Sequence, residues 1–364
     1  MKVLVITNNI NNKSGWGRYS SSIINLYPKF DLDYKIVSEA QNKEQDNELN
    51  ILSPASSLLK FIPNIIKVRK IAKNFDIIHA FDGWPYSIYG YFSVLGTRKK
   101  LFVNGIGTYS VDPFNIKIKA MLLRKAYHKA KQIFCISNYT KKKILEKIKL
   151  DNISTVLLGT PDLQPLSDTA IDNYKIKYNI SNQHPIFLSV GAIKGRKGQY
   201  HSLRAISKLK SKYPNFKYFI IGSDKDKAYI KLIKDFVAKN NITNNVEIIS
   251  SADDKSLAFF YHISDIFLLC STNKDDYFEG FGLVLLEAAQ FGLPVIGSKD
   301  CGIEDAVEDG YNGFLARQRD VDDIYNKIEK ILLNKQTLSN NSKEFAKRFS
   351  WHKTVSKYYE YYNN

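Results

Sequence analysis

Cysteine is scarce in this sequence. Only Cys135, Cys270 and Cys301 occur in 364 residues, and their spacing matches no metal-binding pattern. This scarcity favours a reduced, cytoplasmic protein over one held together by disulfides. The sequence also lacks a run of about 18 apolar residues, so no membrane-spanning helix is predicted. The opening residues, MKVLVITNNI, lack the basic start and cleavage site of a signal peptide and predict a strand instead.

The usual hydrolase and metal motifs are also missing. The sequence contains no G-x-S-x-G, H-E-x-x-H or C-x-x-C, and its six histidines are scattered. Asp31 and Asp33 form a D-x-D pair, but they precede a strand far from any phosphate loop, which favours surface charge over a metal site. Gly15 and Gly17 form a G-x-G without the third glycine of a dinucleotide site, and the nearest acidic residue is Glu39. We therefore expect no metal or cofactor requirement.

Acidic residues are few in the first half. Residues 1–160 contain 25 Lys and Arg against 11 Asp and Glu, a formal charge of +14. Residues 161–364 contain 28 against 25, only +3 of the total of +17. The asymmetry favours an anionic partner of the first half: membrane phospholipid, a lipid-phosphate acceptor or nucleic acid. No RNA-binding motif or platform of aromatic and basic residues accompanies the charge, so nucleic acid is the weakest of these.

Two basic segments are amphipathic. Ser56–Asn74 includes Leu58 and Leu59, and Phe114–Lys131 forms the second segment. Such helices can lie on an anionic membrane, or they can cover a sheet while their lysines stay in water. Both interpretations stand at this point, and Pro63 is expected to break or kink the first helix.

Short apolar strands alternate with helical patterns along the whole chain, which predicts parallel sheets covered on both faces. A chain of this length suggests two domains. The predicted strands are 2–7, 34–37, 76–80, 100–103, 132–136, 154–157, 186–190, 216–223, 245–250, 264–271, 294–296 and 312–316. Ligands are expected beyond the carboxyl ends of such strands.

Two glycine-containing loops follow predicted strands. Gly15, Trp16 and Gly17 are expected to form a flexible turn before a helix, an arrangement that can cradle phosphate. Arg196 and Lys197 lie between Gly195 and Gly198, where two cations suit a diphosphate leaving group. The alternatives are an ordinary strand-to-helix turn for the first loop and a solvated basic turn for the second.

The stretch Asp275–Ser298 combines glycines, two carboxylates and an almost wholly apolar helix over 283–291. Glu287 lies inside this helix, where a carboxylate is costly unless it is hydrogen-bonded or neutralised. Glu279 lies just before the helix, and the amides of residues 281–283 are free at its positive end. The pattern favours a ligand with both hydroxyls and phosphate, whereas the alternative is a capped core helix with a buried glutamate.

These motifs together resemble the retaining glycosyltransferases of family 4. Glu279 and Glu287 match its E-x7-E motif, and EGFGLVLLEAAQFGLPVIGS, DGYNGF, GWGRY and VGAIKGRKG are similar to its other signatures. The resemblance implies an α/β chain of the GT-B fold, with two Rossmann-like domains facing a central cleft. Residues 1–165 would bind the acceptor, with 345–364 crossing back to pack on them through Trp351. Residues 183–344 would bind the donor.

The resemblance also implies an activity and its residues. We expect a hexosyltransferase that moves a sugar from a nucleoside-diphosphate sugar to a saccharide or lipid-linked saccharide in envelope glycan synthesis. The alternative is a non-catalytic binding subunit of the same fold. The enzyme would act in the cytoplasm, with a peripheral site on the inner face of the cytoplasmic membrane. Ile106 lies where many members of the family have His, and Ala192 lies where many have Arg. Expected donor residues are Gly15, Gly17, Arg196, Lys197, Glu279, Gly280, Phe281, Gly282, Leu283 and Glu287, with Glu279, Arg196 and Lys197 catalytic; expected acceptor residues are Asp82, Trp84, Thr108 and Tyr109.

Overall fold

The computed structural model describes residues 1–12, 14–39, 42–54, 60–178, 180 and 182–364. The chain forms two compact units, Met1–Gly159 with Ser350–Asn364, and Thr160–Phe349. The sequence-based division placed 160–165 and 345–349 in the first unit and left 166–182 as a linker. Part of that linker is a helix of the second unit, because the ring of Tyr174 stacks 5.0 Å from that of Phe259.

The first unit is built on a parallel sheet. Its strands are β1 (Lys2–Ile6), β2 (Asp33–Val37), β3 (Glu48–Leu49), β4 (Ile77–Ala80), β5 (Lys100–Gly105), β6 (Gln132–Cys135) and β7 (Ile153–Thr155). Within the described residues they lie in the order β3-β2-β1-β4-β5-β6-β7. Val3 pairs with Tyr34 on one side and Ile77 on the other. The order in which successive strands join the sheet therefore reverses between β1 and β4, the position where such sheets bind ligands.

Helices cover this sheet: α1 (Gly15–Ile24), α2 (Phe61–Ala72), α3 (Ile88–Val94), α4 (Thr108–Val111), α5 (Lys117–Lys129) and α6 (Asn138–Lys147). Two local predictions were wrong. Gly15 to Gly17 form the first turn of α1 because the Ser14 hydroxyl caps it, accepting from the Gly17 amide at 2.9 Å. Pro63 does not break α2, since it is the third helical residue, whose amide has no partner within the helix. Leu58 and Leu59 lie outside the described residues.

The second unit repeats the architecture. Its strands are β8 (Ile186–Val190), β9 (Lys217–Ile221), β10 (Val246–Ile249), β11 (Ile266–Leu269), β12 (Val295–Ser298) and β13 (Gly313–Ala316). Among the described residues they form a parallel sheet in the order β10-β9-β8-β11-β12-β13. Its helices are α7 (Asp168–Lys177), α8 (Gln199–Ser207), α9 (Lys227–Lys239), α10 (Asp254–Ile263), α11 (Leu283–Gln290), α12 (Val321–Leu333) and α13 (Lys335–Lys347). Here the order reverses between β8 and β11.

The last helix, α14 (Trp351–Asn363), returns to the first unit, as predicted. Trp351 is buried and its ring lies 6.4 Å from that of Tyr19. Further along the helix, the Tyr358 ring lies 4.6 Å from Phe134 of β6. The helix therefore closes one face of the first sheet with aromatic side chains.

A buried polar group joins α14 to this sheet. His79 of β4 is fully buried, and its Nε2 lies 2.8 Å from the Asn104 side-chain oxygen. Nε2 therefore donates, and Nδ1 accepts from the Tyr362 hydroxyl. Burial lowers the pKa of His79 to about 3, although the Asn104 hydrogen bond opposes the change. His79 is thus held neutral.

Candidate functional site

The reversal point of the second sheet brings two loops together. One follows β8 and contains Arg196 and Lys197, and the other follows β11 and contains Glu279. A Cβ atom on Gly198 would lie 1.8 Å from the Cys270 carbonyl oxygen, so only glycine allows this approach. The Thr272 amide donates to the Arg196 carbonyl at 2.8 Å. Backbone contacts between residues more than 70 positions apart in the chain therefore hold the two loops together.

A single carboxylate oxygen joins the predicted cations. Glu279 Oε2 lies 2.7 Å from Lys197 Nζ and 3.1 Å from Arg196 Nη1. The Ser271 hydroxyl donates to the same oxygen at 3.3 Å. The Glu279 side chain is 12% exposed, against 25% for Arg196 and 15% for Lys197. The group is thus shielded but reachable from solvent.

The electrostatics of this group favour an anion. Burial by itself raises the pKa of Glu279, but the charges and hydrogen bonds of Lys197 and Arg196 outweigh it and lower this pKa to about 2. The pKa of Lys194 in the same loop is lowered, mainly by partial desolvation and to a smaller extent by repulsion from Arg196 and Lys197. With all four groups ionised, three cations face one carboxylate, which leaves excess positive charge for a phosphate group.

The amino end of α11 adjoins Glu279. Gly282 is its N-cap residue and supplies no side-chain cap, so the amides of the first turn keep their capacity to bind an anion. The Gly302 amide donates to the Glu279 carbonyl at 2.8 Å and fixes the backbone there. The Phe281 ring is buried, 6.2 Å from Phe349, so only its backbone is available to a ligand. Gly280 and Leu283 are the chain neighbours of Phe281 and Gly282 on either side.

Glu287 occupies a different environment from Glu279. Its side chain is 2% exposed, and its Oε2 accepts from the Tyr261 hydroxyl of α10 at 2.7 Å. A buried carboxylate needs such a donor to offset the loss of water. Its predicted contact with a ribose stays a prediction.

The two glycines predicted to lie under the donor differ from each other. A Cβ atom on Gly17 would lie 2.0 Å from the Asn11 carbonyl oxygen, so this glycine is required by packing. At Gly15 no neighbouring heavy atom of the described residues lies within 4 Å of the corresponding position. Packing therefore gives no reason for glycine at 15, whereas a ligand approaching the backbone would.

The predicted acceptor residues follow β4 and β5 of the first unit. Asp82 is buried, accepts from the Gly83 amide at 2.6 Å and from the Ser110 hydroxyl, and burial raises its pKa to about 7. Trp84 is 7% exposed. Tyr109 is 50% exposed, and its ring lies 6.1 Å from that of Trp16. Thr108 is partly exposed beside it.

Sequence reasoning missed several contributors. Lys194 was not singled out, although it lies in the same basic loop. Ser271 follows β11 in the loop that leads to Glu279, and its position alone was a usable signal. Tyr261 gave no signal, because a tyrosine on an apolar helix usually serves the core. Its contact with Glu287 depends on how α10 packs on α11.

Comparison with known proteins agrees with this geometry. Residues 170–349 match the family described as glycosyl transferases group 1. The chain is 29% identical to an uncharacterized glycosyltransferase of Methanocaldococcus jannaschii, over 89% of this chain and 88% of that protein. It is 26% identical to the capsular polysaccharide biosynthesis glycosyltransferase CapM of Staphylococcus aureus, over 92% of each. Residues 170–349 of the chain belong to this glycosyltransferase family.

The fold of the glycosyltransferase agrees as well. The solved structure of Anabaena Alr3699/HepE in complex with UDP-glucose superposes with a TM-score of 0.83 at 19% identity, covering 100% of this chain and 99% of that one. The predicted GT-B fold is confirmed. In the part of the chain that the structure describes, no helix is both long and apolar enough to cross a membrane.

Proposed function

We propose that this glycosyltransferase moves a hexose from a nucleoside-diphosphate sugar to a saccharide or lipid-linked saccharide, with retention of configuration at the anomeric carbon. The observation that carries the proposal is the joint contact of Arg196 and Lys197 with Glu279. It places two cations beside a carboxylate at the amino end of a helix. A nucleoside-diphosphate sugar needs both features, cations for the diphosphate and a carboxylate for the sugar hydroxyls.

In the proposed reaction, the bond between the anomeric carbon and the diphosphate oxygen breaks. Arg196, Lys197 and the amides at 281–283 stabilise the negative charge that develops on the diphosphate. Glu279 holds sugar hydroxyls, and Glu287 holds the ribose diol. The acceptor oxygen bonds to the anomeric carbon on the face that the diphosphate leaves. The acceptor proton passes to the departing phosphate, so no carboxylate nucleophile is needed. Lys194 adds to the cationic charge, and we propose that no metal ion is required.

The relatives support the type of donor and the pathway. HepE was solved with UDP-glucose, and CapM is named for capsular polysaccharide biosynthesis. We infer a role in envelope glycan synthesis at the inner face of the cytoplasmic membrane. The basic excess of residues 1–160 supports contact with anionic phospholipid there. Thr108 and Tyr109 offer exposed surface to the acceptor, and the buried Asp82 and Trp84 support them.

The test measures turnover of a panel of UDP- and GDP-sugars, with and without a chelator. Release of the nucleoside diphosphate is the readout. We expect one donor to be turned over, and the chelator to have no effect. Arg196→Ala, Lys197→Ala and Glu279→Gln should each lower kcat/KM by about 100-fold or more, since each removes a group facing the donor. Lys234→Ala, an exposed lysine of α9, is the control and should be neutral.

Two outcomes contradict the proposal. Donor binding without turnover would favour the non-catalytic subunit, and unchanged turnover in all three site variants would refute the assignment of the site. The proton coupling of the product's anomeric position by NMR separates retention from inversion. Inversion would refute the stereochemical part alone.

A further inference from the structure

Helices α2 and α5 each carry two apolar faces. In α2 the buried positions are Asn64, Val68 and Ala72, whereas Ile62 and Ile66 are 67% and 63% exposed on another side of the helix. A helix that only covers a sheet needs one apolar face, with its other side polar. The second face of α2 therefore has no role in the packing of the sheet.

The same arrangement recurs in α5. Its buried positions include Leu123 and Ala126, while Ile118 and Met121 are 70% and 50% exposed. Scattered single apolar residues on a surface are ordinary, but clusters mark contact sites. We call the exposed residues Ile62, Ile66, Ile118 and Met121 the apolar tip.

Trp84 contacts the amino ends of both helices. The Phe61 ring, at the start of α2, stacks on Trp84 with centroids 5.2 Å apart and an interplanar angle of 7°. Lys119 Nζ, at the start of α5, lies 5.2 Å from the centroid of the Trp84 ring. Ile62 and Ile118 are the chain neighbours of Phe61 and Lys119. The apolar tip therefore occupies one region of the first unit.

Cations continue both exposed faces. Along α2 and its C-cap residue Lys73, the series Ile62, Ile66, Lys70 and Lys73 falls on one side of a helix at 100° per residue. In α5 the residues Ile118, Met121, Lys125 and Lys129 do the same. Both faces thus change from apolar at the amino end to basic towards the carboxyl end. Neither helix contains an acidic residue, and the sequence has none from 49 to 75 or from 113 to 145.

The apolar tip lies at the edge of the sheet where ligands bind. α2 precedes β4 and α5 precedes β6, so each helix runs back along the sheet and begins at the carboxyl ends of the strands. Trp84, which joins the two helices, is itself one of the residues assigned to the acceptor. Thr108 and Tyr109 follow β5 at the same edge.

We propose that the apolar tip enters the acyl boundary of an anionic bilayer while Lys70, Lys73, Lys125 and Lys129 bind the phosphate head groups. Apolar residues followed by lysines, on two helices that contain no acidic residue, match the layers of such a membrane, from acyl chains to head groups. A second copy of the chain fits less well, since it would bring equally basic helices face to face. A lipid-linked acceptor would then reach Trp84 and Tyr109 from the membrane. This last step rests on the proposed function.

The first experiment places an environment-sensitive fluorophore at the apolar tip. Ile62→Cys and Ile118→Cys are labelled with NBD, and Ile176→Cys on α7, 79% exposed in the second unit, is the control. The native Cys135, Cys270 and Cys301 are buried and should remain unlabelled. Vesicles are phosphatidylcholine alone or with about 30 mol% phosphatidylglycerol. We expect a blue shift at 62 and 118 on the anionic vesicles only, and none at 176.

The second experiment measures partitioning by co-sedimentation with the same vesicles. Ile62→Ser with Ile118→Ser should weaken binding by about tenfold or more, because each loses apolar burial. Lys70→Gln with Lys125→Gln should weaken it by a similar factor at about 0.1 M salt and by less at about 0.5 M. The matched control, Ile176→Ser with Leu333→Ser, should bind as the parent chain does.

The outcomes separate this proposal from the proposed function. Absence of a blue shift at 62 and 118, or an equal shift at 176, would overturn the membrane surface. So would a concentration-dependent dimer in sedimentation velocity that Ile62→Ser with Ile118→Ser abolishes. Donor turnover without vesicles should be unchanged in that variant, while transfer to a lipid-linked acceptor in anionic vesicles falls. Vesicle binding by a chain that turns over no donor would refute the proposed function and leave the membrane surface standing.

Discussion

Lys197 Nζ lies 2.7 Å from Glu279 Oε2, and Arg196 shares the same carboxylate oxygen. Loss of this carboxylate would leave two shielded cations side by side. The contact therefore serves stability as well as the proposed binding of a donor, and the two effects can be measured separately.

Acid should weaken this contact in a defined pH window. The pKa of Glu279 is lowered to about 2 in the folded chain from an ordinary value of 4.5. A depressed carboxyl pKa stabilises the fold above the ordinary value, and the gain is lost as pH falls from 4.5 towards 2. The full loss is about 3 kcal/mol. Denaturant unfolding across this range should show that Glu279→Gln lacks this part of the pH dependence.

The control for this experiment is Glu308→Gln. Glu308 is half exposed and pairs with Arg348 on the surface, where water and salt screen such a pair and leave it a small contribution to stability. It should follow the parent chain at every pH. Parallel pH profiles for Glu279→Gln and the parent would show that the buried ion pair does not lower the Glu279 pKa.

Gly15 and Gly17 provide a matched pair. Gly17→Ala should destabilise the first unit by about 2 kcal/mol or more, since its methyl group meets the Asn11 carbonyl at 2.0 Å. Gly15→Ala should leave the melting temperature unchanged, because within the described part of the chain no neighbouring atom lies within 4 Å of the added methyl group. If the donor contacts this backbone, Gly15→Ala will still lower kcat/KM. Normal kinetics in a stable Gly15→Ala would remove Gly15 from the donor site.

The neutral His79 predicts a second pH effect. Its folded pKa of about 3 lies below the ordinary value of 6.5, so only the unfolded chain takes up a proton between them. Stability should therefore fall below pH 6.5, by about 1.4 kcal/mol per pH unit from this group. Urea unfolding at several pH values should show that His79→Gln lacks this slope. His128→Gln, at an exposed site on α5, should keep it, and equal slopes in all three chains would contradict the prediction.

Tyr261→Phe tests the environment of Glu287. Removing the hydroxyl takes away the donor that lies 2.7 Å from the buried carboxylate, at a cost of about 1–3 kcal/mol in unfolding free energy. If Glu287 binds the ribose, calorimetry should show weaker binding of the nucleoside diphosphate and unchanged binding of pyrophosphate. Tyr213→Phe, a partly exposed ring, is the control. An equal loss for both ligands would place the effect on the phosphate site instead.

The order of strands and helices was largely predictable, because alternating apolar runs are a local property of the chain. β3 was missed, since Glu48–Leu49 is too short to show a period and forms only by pairing with β2. The helical start at Gly15 was missed because it depends on the Ser14 cap. Pro63 was misjudged because its effect depends on where α2 begins.

The amino-acid sequence by itself determined that Arg196, Lys197 and Glu279 follow strands at the edges where ligands bind, since strand periodicity and the glycine loops are written in it. Only the tertiary structure decided that these side chains share one oxygen, because that contact depends on the neighbouring positions of β8 and β11 in the sheet. The same holds for Tyr261 with Glu287 and for the two helix ends that meet at Trp84. Contacts between residues far apart in the chain depend on packing, which no local pattern encodes.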